Sequence, residues 1–287
     1  MYGEDNVWQI RGMANAFLID CVQQNLKSYG NYGDAAQVYL ATPLAEYLKN
    51  NNVLIPGDWP SQFYQQQLSY NSDLHSPLRN TTATMGPLHI SLNSQENVVQ
   101  KYIIFFQALY NHLFKKKLAK KPKPWHVTLM LELLYGGWTL IRQPILARLQ
   151  RFKDLQFFTF LKLVDNYTPL CLSIYSLFFK SNAFDHYNLA MQQIWIMFLT
   201  FQRHHYDKAP LIWLGNIACW RHHQHPLYNL LRNNIHVCDE YPVENFHSLF
   251  RQQTNEWDRP AMIHRKARWI GSHKHQLLIF SFYFVFR

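Results

Sequence analysis

From Ser94 to about residue 235 the apolar residues recur at three- and four-residue intervals, and this long helical middle restricts the chain to few architectures. Strand-like runs fall outside it. Val53-Leu54-Ile55 is a short apolar run halted by Pro56-Gly57, Leu88-His89-Ile90-Ser91-Leu92 alternates with period two, and Val237-Cys238 is a shorter third candidate. The expected fold class is mainly α (α+β), a small strand-bearing core interrupted by a long helical insertion. The expected parts are an N-terminal helical segment (1–50), a split core (51–94 and 236–275), the insertion (95–235) and an atypical apolar tail (276–287).

Local signals refine this outline. Met13, Ala16, Phe17, Asp20, Cys21 and Leu26 fit one helical face, and 35–48 fits another, interrupted by Pro43. Tyr29-Gly30-Asn31-Tyr32-Gly33-Asp34 between them reads as a turn cluster. Residues 62–70 are polar and helical in pattern, and 71–84 read as a loop or strand approach. Ser94 is placed to cap a helix that ends in the lysine-rich run before Pro122 and Pro124. Further helices are expected over 127–150, 157–179, 184–205, 210–219 and 239–253, with Pro144 and Pro169 kinking or dividing two of them. His204-His205 would close the helix that ends there.

Composition narrows the function classes. The 287-residue chain has 48% apolar and 16% aromatic residues, enough to bury a real core, and a formal charge of +10 that favours polyanionic partners. Cys21, Cys171, Cys219 and Cys238 form no CxxC pair, which fits a reducing, intracellular compartment, nuclear or cytoplasmic. The start, Met1-Tyr2-Gly3-Glu4-Asp5, lacks a signal-peptide pattern. A membrane is not expected as partner: the apolar window 155–179 holds Lys162 and Asp165, each costing about 2.5–3.5 kcal/mol at a bilayer centre. The apolar run 277–286 is too short to span.

One discontinuous constellation has chemical potential. Asp58 follows the first apolar run, His89 lies on the alternating run, and Glu244 lies on the last expected helix. Glu244, His247 and Arg251 share one helical face, opposite Phe246, Leu249 and Phe250. Asp58, His89 and Glu244 are the candidate metal ligands, and Asp58 and Glu244 the candidate catalytic acids, with Mg²⁺ the expected cofactor if the site is active. The bland alternative makes Asp58 a turn cap and Glu244 a partner of a helix dipole. Lys115, Lys116, Lys117, Lys120, Lys121 and Lys123, with His247 and Arg251, are the candidate nucleic-acid contacts; the lysine run also suits a nuclear-import signal or a solvated loop. Cys219, His222, His223, His225, His236 and Cys238 have zinc-like letters without zinc-like spacing.

The series Val-Leu-Ile-Pro-Gly-Asp58-Trp, Gly86-Pro87-Leu88-His89-Ile-Ser-Leu-Asn93-Ser, Lys-Leu-Ala-Lys-Lys-Pro-Lys-Pro-Trp125, Tyr-Gly-Gly-Trp-Thr-Leu-Ile-Arg142 and Asp239-Glu-Tyr-Pro-Val-Glu244-Asn-Phe-His-Ser248 resembles an expanded set of uncharacterised fungal proteins that look like degenerate DDE-type DNA transposases. The resemblance spans about 43–274. It implies an RNase H-like core, Asp58 as the acid ending the first core strand, and Glu244 as the acid after a helical insertion. Where the second acid belongs, this chain offers His89, and Asp73 stands nearby in a loop-like stretch. An imidazole is a poor Mg²⁺ ligand, which implies a degraded site. The start leaves little room for a DNA-binding module, and the apolar end reads equally as core or as a truncated reading frame.

The leading expectation is a transposase-derived, catalytically inactive, nucleic-acid-associated protein with DNA as partner. The alternatives are an active metal-dependent transposase or nuclease, and a helical interaction protein with no nucleic-acid role.

Overall fold

The computed structural model describes residues 26–149, 153–241 and 244 of the chain. Across them the protein is mostly helical, with a two-stranded parallel sheet. It divides into one unit of Met1–Leu88 with Val237–Arg287 and a second of His89–His236. The expected helix through Met13 and the apolar tail lie outside the described residues.

In the first unit the order is α1 (Tyr29–Leu40), α2 (Leu44–Tyr47), β1 (Val53–Gly57), α3 (Trp59–Asn71), a 3₁₀ turn (Pro77–Asn80) and β2 (Thr81–Met85). The expected turn at 29–34 is in fact the start of α1. Ser28 caps it by accepting from the Asn31 amide at 3.4 Å. Tyr32, Ala36 and Tyr39 recur at helical spacing and join Leu48, Val53 and Leu68 in the core. That burial outweighs the roughly 1 kcal/mol each helical glycine costs.

β1 and β2 pair in parallel, from Val53 against Thr81 to Gly57 against Met85, with α3 in the crossover between them. The Gly86 amide extends the ladder by donating to the Gly57 carbonyl at 2.7 Å. A buried polar bridge ties the layers: the Gln65 amide bonds the Tyr39 hydroxyl at 2.9 Å and donates to the Thr81 hydroxyl at 3.0 Å. All three side chains therefore keep hydrogen-bond partners inside the core.

The second expected strand is a helix. Residues 88–92 belong to α4 (Pro87–Lys101), which Pro87 opens. Alternation over five residues misleads here because Leu92 is exposed, while the buried positions Ile90, Ser91, Ser94, Gln95, Val98 and Val99 follow helical spacing. Ser94 accordingly caps no helix; it is buried within α4 and donates to the Ser91 carbonyl at 2.8 Å. The expected strand at 237–238 is also absent: Ile235–Val237 form a 3₁₀ turn, and Cys238 follows it without regular structure.

The second unit continues with α5 (Ile103–Phe114), α6 (Pro124–Leu149), α7 (Leu155–Lys162), α8 (Tyr175–Lys180), α9 (Phe184–Thr200), α10 (Ala209–His222) and α11 (Pro226–Asn234). α6 runs through Pro144 as one helix. Pro169 is flanked by two π-helical turns, Leu163–Tyr167 and Leu170–Ile174. Such turns absorb an extra residue where a proline lacks its amide donor. Asp165, in the first of them, accepts from the Trp138 indole at 2.7 Å and from Arg142 at 2.9 Å. α9 ends five residues earlier than expected, so His204 and His205 lie in the following turn, where Gln202 and His205 adopt positive φ. α11 was not apparent in the sequence pattern; the His225 ring caps it by accepting from the Leu227 amide at 3.2 Å.

Among the described residues no helix is long and apolar enough to cross a membrane.

Candidate functional site

The carboxyl ends of two parallel strands are where an open α/β arrangement offers a crevice, and in the first unit a glycine ends β1 (Gly57) and another directly follows β2 (Gly86), each at a close approach. A Cβ on Gly57 would stand 2.8 Å from the Cβ of Ser61. A Cβ on Gly86 would coincide with the carboxyl group of Glu240. Two acidic residues thus meet the strand ends: Asp58, next after Gly57, and Glu240 against Gly86.

Asp58 is the N-cap of α3, its Oδ1 accepting from the Ser61 amide at 2.9 Å. The cap reading of the sequence holds, with Trp59-Pro60 forming the first turn as a proline there permits. Its charge reaches α1. Burial pushes the Tyr32 hydroxyl above its ordinary pKa, a hydrogen bond with the Ser61 side chain pulls it down, and the neighbouring Asp58 carboxylate pushes it up again. Tyr32 also stacks on Tyr64 with ring centroids 4.8 Å apart.

Glu240 is 4% exposed. Asp239 begins the following turn by accepting from the Tyr241 amide at 3.0 Å, and the Glu244 amide donates to the Glu240 carbonyl at 3.1 Å. Glu240 therefore precedes Glu244 by one helical turn. The acid buried at the end of β2 is Glu240, while Glu244 is half-buried one turn on. Nearby in sequence to the two strand ends, Gln62 is 1% exposed and neither polar atom of its amide has a hydrogen-bond partner among the described residues; the Thr84 hydroxyl is likewise buried and unmatched.

Of the expected ligand set, Asp58 and Glu244 belong to the first unit and His89 to the second, on α4 rather than on a strand. Among the described residues no three His, Cys, Asp or Glu side chains gather closely enough to hold a metal ion, whether Asp58, His89 and Glu244 or the zinc-like set. Mg²⁺ needs several oxygen donors, and Asp58 already commits one oxygen to its cap, so the described donors fall short of a complete protein cage. His247 and Arg251 lie outside the described residues.

The lysine run forms a loop between α5 and α6 in the second unit. Lys115 stops α5 in a left-handed conformation with φ 55°. Leu118 and Pro122 are buried beneath it, while Lys115, Lys116, Lys117, Lys120, Lys121 and Lys123 are all exposed. Two glutamines hold the loop backbone from below: Gln107 donates to the Leu118 carbonyl at 3.3 Å and Gln100 to the Lys120 carbonyl at 3.0 Å. Just beyond it, Trp125 in the first turn of α6 is 61% exposed. Its ring lies against that of His126 at 3.4 Å between centroids, and His126 meets the Tyr110 ring edge-on at 5.7 Å.

Beside this loop, Leu92, Asn93, Gln95, Glu96, Pro122, Pro124 and Val127 line a cleft of about 150 Å³. Its one carboxylate, on Glu96, is paired with Arg203, which also donates to Asn93 at 2.7 Å.

No family model matches the chain, and no curated protein or solved structure matches it.

Two features escaped the sequence reading. Glu240 stands in the same acidic string as Glu244, and the signal for it is the glycine at the end of β1 together with the glycine that follows β2. Trp125 is an aromatic residue two positions after a lysine run, and that placement is the sequence cue for it.

Proposed function

We propose that the protein is a transposase-derived, nucleic-acid-associated protein with a degraded active centre, acting inside the cell in the nucleus or cytoplasm. The observation that carries this reading is the lysine loop. Six exposed ammonium groups sit within nine residues on a backbone anchored by Gln100 and Gln107. Lysines displace condensed counterions from a phosphate backbone, and a loop already held in place loses little entropy on binding. DNA is the partner this reading names.

An RNase H-like ancestry is supported by the arrangement of the first unit. Asp58 follows β1, Glu240 packs against Gly86 just after β2, and the two sequence segments of the unit are separated by a helical unit. A degraded centre is favoured because Asp58 is committed to a helix cap and because His89 lies on α4 rather than on a strand.

A second reading, a metal-dependent phosphodiester nuclease or strand transferase, is favoured by the placement of Glu240 against Gly86, beside the strand that Asp58 follows. Asp58 and Glu240 would then supply carboxylates, and Mg²⁺ would complete its shell with water and substrate phosphate. A helical interaction protein without nucleic-acid contacts is the third possibility.

Binding measured across a salt series separates them. The leading reading expects log K to fall linearly with log salt, with a slope near −0.9 per phosphate neutralised, and to flatten when the six lysines become glutamine. It also expects no strand cleavage in Mg²⁺ or Mn²⁺. Cleavage abolished by Glu240→Gln or Glu244→Gln would establish the nuclease, and salt-independent, negligible binding would leave the interaction protein.

A further inference from the structure

We infer that the lysine loop and Trp125 together form a site for single-stranded nucleic acid, in which the lysines follow the sugar–phosphate backbone and Trp125 stacks on an unpaired base. The inference rests on the nucleic-acid reading above and adds the strandedness of the partner.

Three observations carry it. Trp125 exposes a large aromatic surface although the protein has ample core in which to bury one. The ring is not loose. It lies against His126, which is in turn met edge-on by Tyr110, whose hydroxyl approaches His126 Nε2 at 3.4 Å. A flat ring supported from one side is the geometry on which a base face settles. Finally, Trp125 lies two residues after Lys123, in the first turn of the 26-residue helix α6. The amide ends of that turn add partial positive charge next to the lysines.

This combination favours a single strand over a duplex. Paired bases keep their faces inside the stack, so a surface tryptophan reaches them only by unstacking the helix at an energetic cost. In an open strand every base presents a π-face, and a basic track beside one aromatic platform holds backbone and base together without reading sequence. Lysine alone would bind either form by charge; Trp125 provides the discrimination.

The test compares a fluorescein-labelled 12-nucleotide oligothymidylate with a 12-base-pair duplex by anisotropy, using the full chain at two salt concentrations. The expected result is tighter binding of the single strand. Trp125→Ala should weaken single-strand binding by roughly 5- to 150-fold while leaving duplex binding unchanged, and Trp125→Phe should retain most of the affinity. An unchanged far-ultraviolet dichroism spectrum and melting temperature in Trp125→Ala would show that the loss is not misfolding. If duplex and single strand bind equally and Trp125→Ala binds both like the wild type, this inference falls while the nucleic-acid reading stands. If neither polymer binds with a salt-dependent affinity, both fall together.

Discussion

The carboxyl group of Glu240 stands where any side chain on residue 86 would have to be, so Gly86 and Glu240 pack as a single feature at the end of β2. Gly86→Ala must therefore displace Glu240 or distort the strand end, at about 1–3 kcal/mol of stability. Urea unfolding should show this loss, and it should shrink in Gly86→Ala/Glu240→Gly, where the carboxyl has gone. A double-mutant cycle with no coupling between the two sites would contradict the packing described.

Asp58 offers a cleaner separation of structure from chemistry. Its carboxylate caps α3 through the Ser61 amide, so Asp58→Ala should lower stability by about 1 kcal/mol, whereas Asp58→Asn and Asp58→Ser, which still accept that hydrogen bond, should melt near the wild type. Any metal-dependent cleavage would respond differently, being lost in Asp58→Asn although the fold is intact.

Alkali should find a weak point at Tyr39. Burial raises its hydroxyl from 10.0 to about 12, opposed by the hydrogen bond with Gln65. The neutral phenol is thus favoured in the folded protein, and its contribution is complete below pH 10 and lost as pH rises from 10 to 12. That amounts to about 3 kcal/mol. Chemical denaturation at pH 9 and at pH 11.5 should show a steeper decline for wild type than for Tyr39→Phe, which has no proton to lose.

Thiol chemistry should be selective. Cys219 is exposed on α10, whereas burial pushes Cys171 to about 12, only partly opposed by a hydrogen bond with Ser94. Burial also lifts Cys238 to about 12, reinforced by the negative charges of Asp239 and Glu240. At pH 8 iodoacetamide should modify Cys219 rapidly, leaving Cys171 and Cys238 untouched until denaturant is added. Peptide mass mapping over time reads this directly, and equal rates at Cys171 and Cys219 would refute the burial.

Sequence pattern was a good guide where one local force dominated. Val53-Leu54-Ile55 reads as a strand because β-branched apolar residues end at Pro56-Gly57, and that is where β1 runs. The helices around 127–149 and 184–200 were legible for the same reason, through long apolar periodicity. It failed where polar residues are buried. α4 packs Ser91, Ser94, Gln95 and Asn97 inward, so its apolar residues alone trace a false period of two. Short capping signals were also hard to weigh: Ser28 turns a glycine-containing stretch into helix, and His225 starts α11 through its ring nitrogen. For the acidic site, Asp58 stood out by following a strand, but Glu240 became visible only when the chain had brought it back against Gly86. That relation joins residues far apart in sequence, which no local pattern encodes.

The division of the first unit into two sequence segments has a consequence during translation. Residues 29–85 can leave the ribosome, pair β1 with β2 and bury Tyr39 while Glu240 has yet to be synthesised. At ordinary elongation rates the intervening His89–His236 segment takes roughly 7–30 s to make. Throughout that interval the nascent strand end beside Gly86 lacks the turn that carries Glu240, so the site can be completed only after the whole helical unit has been made.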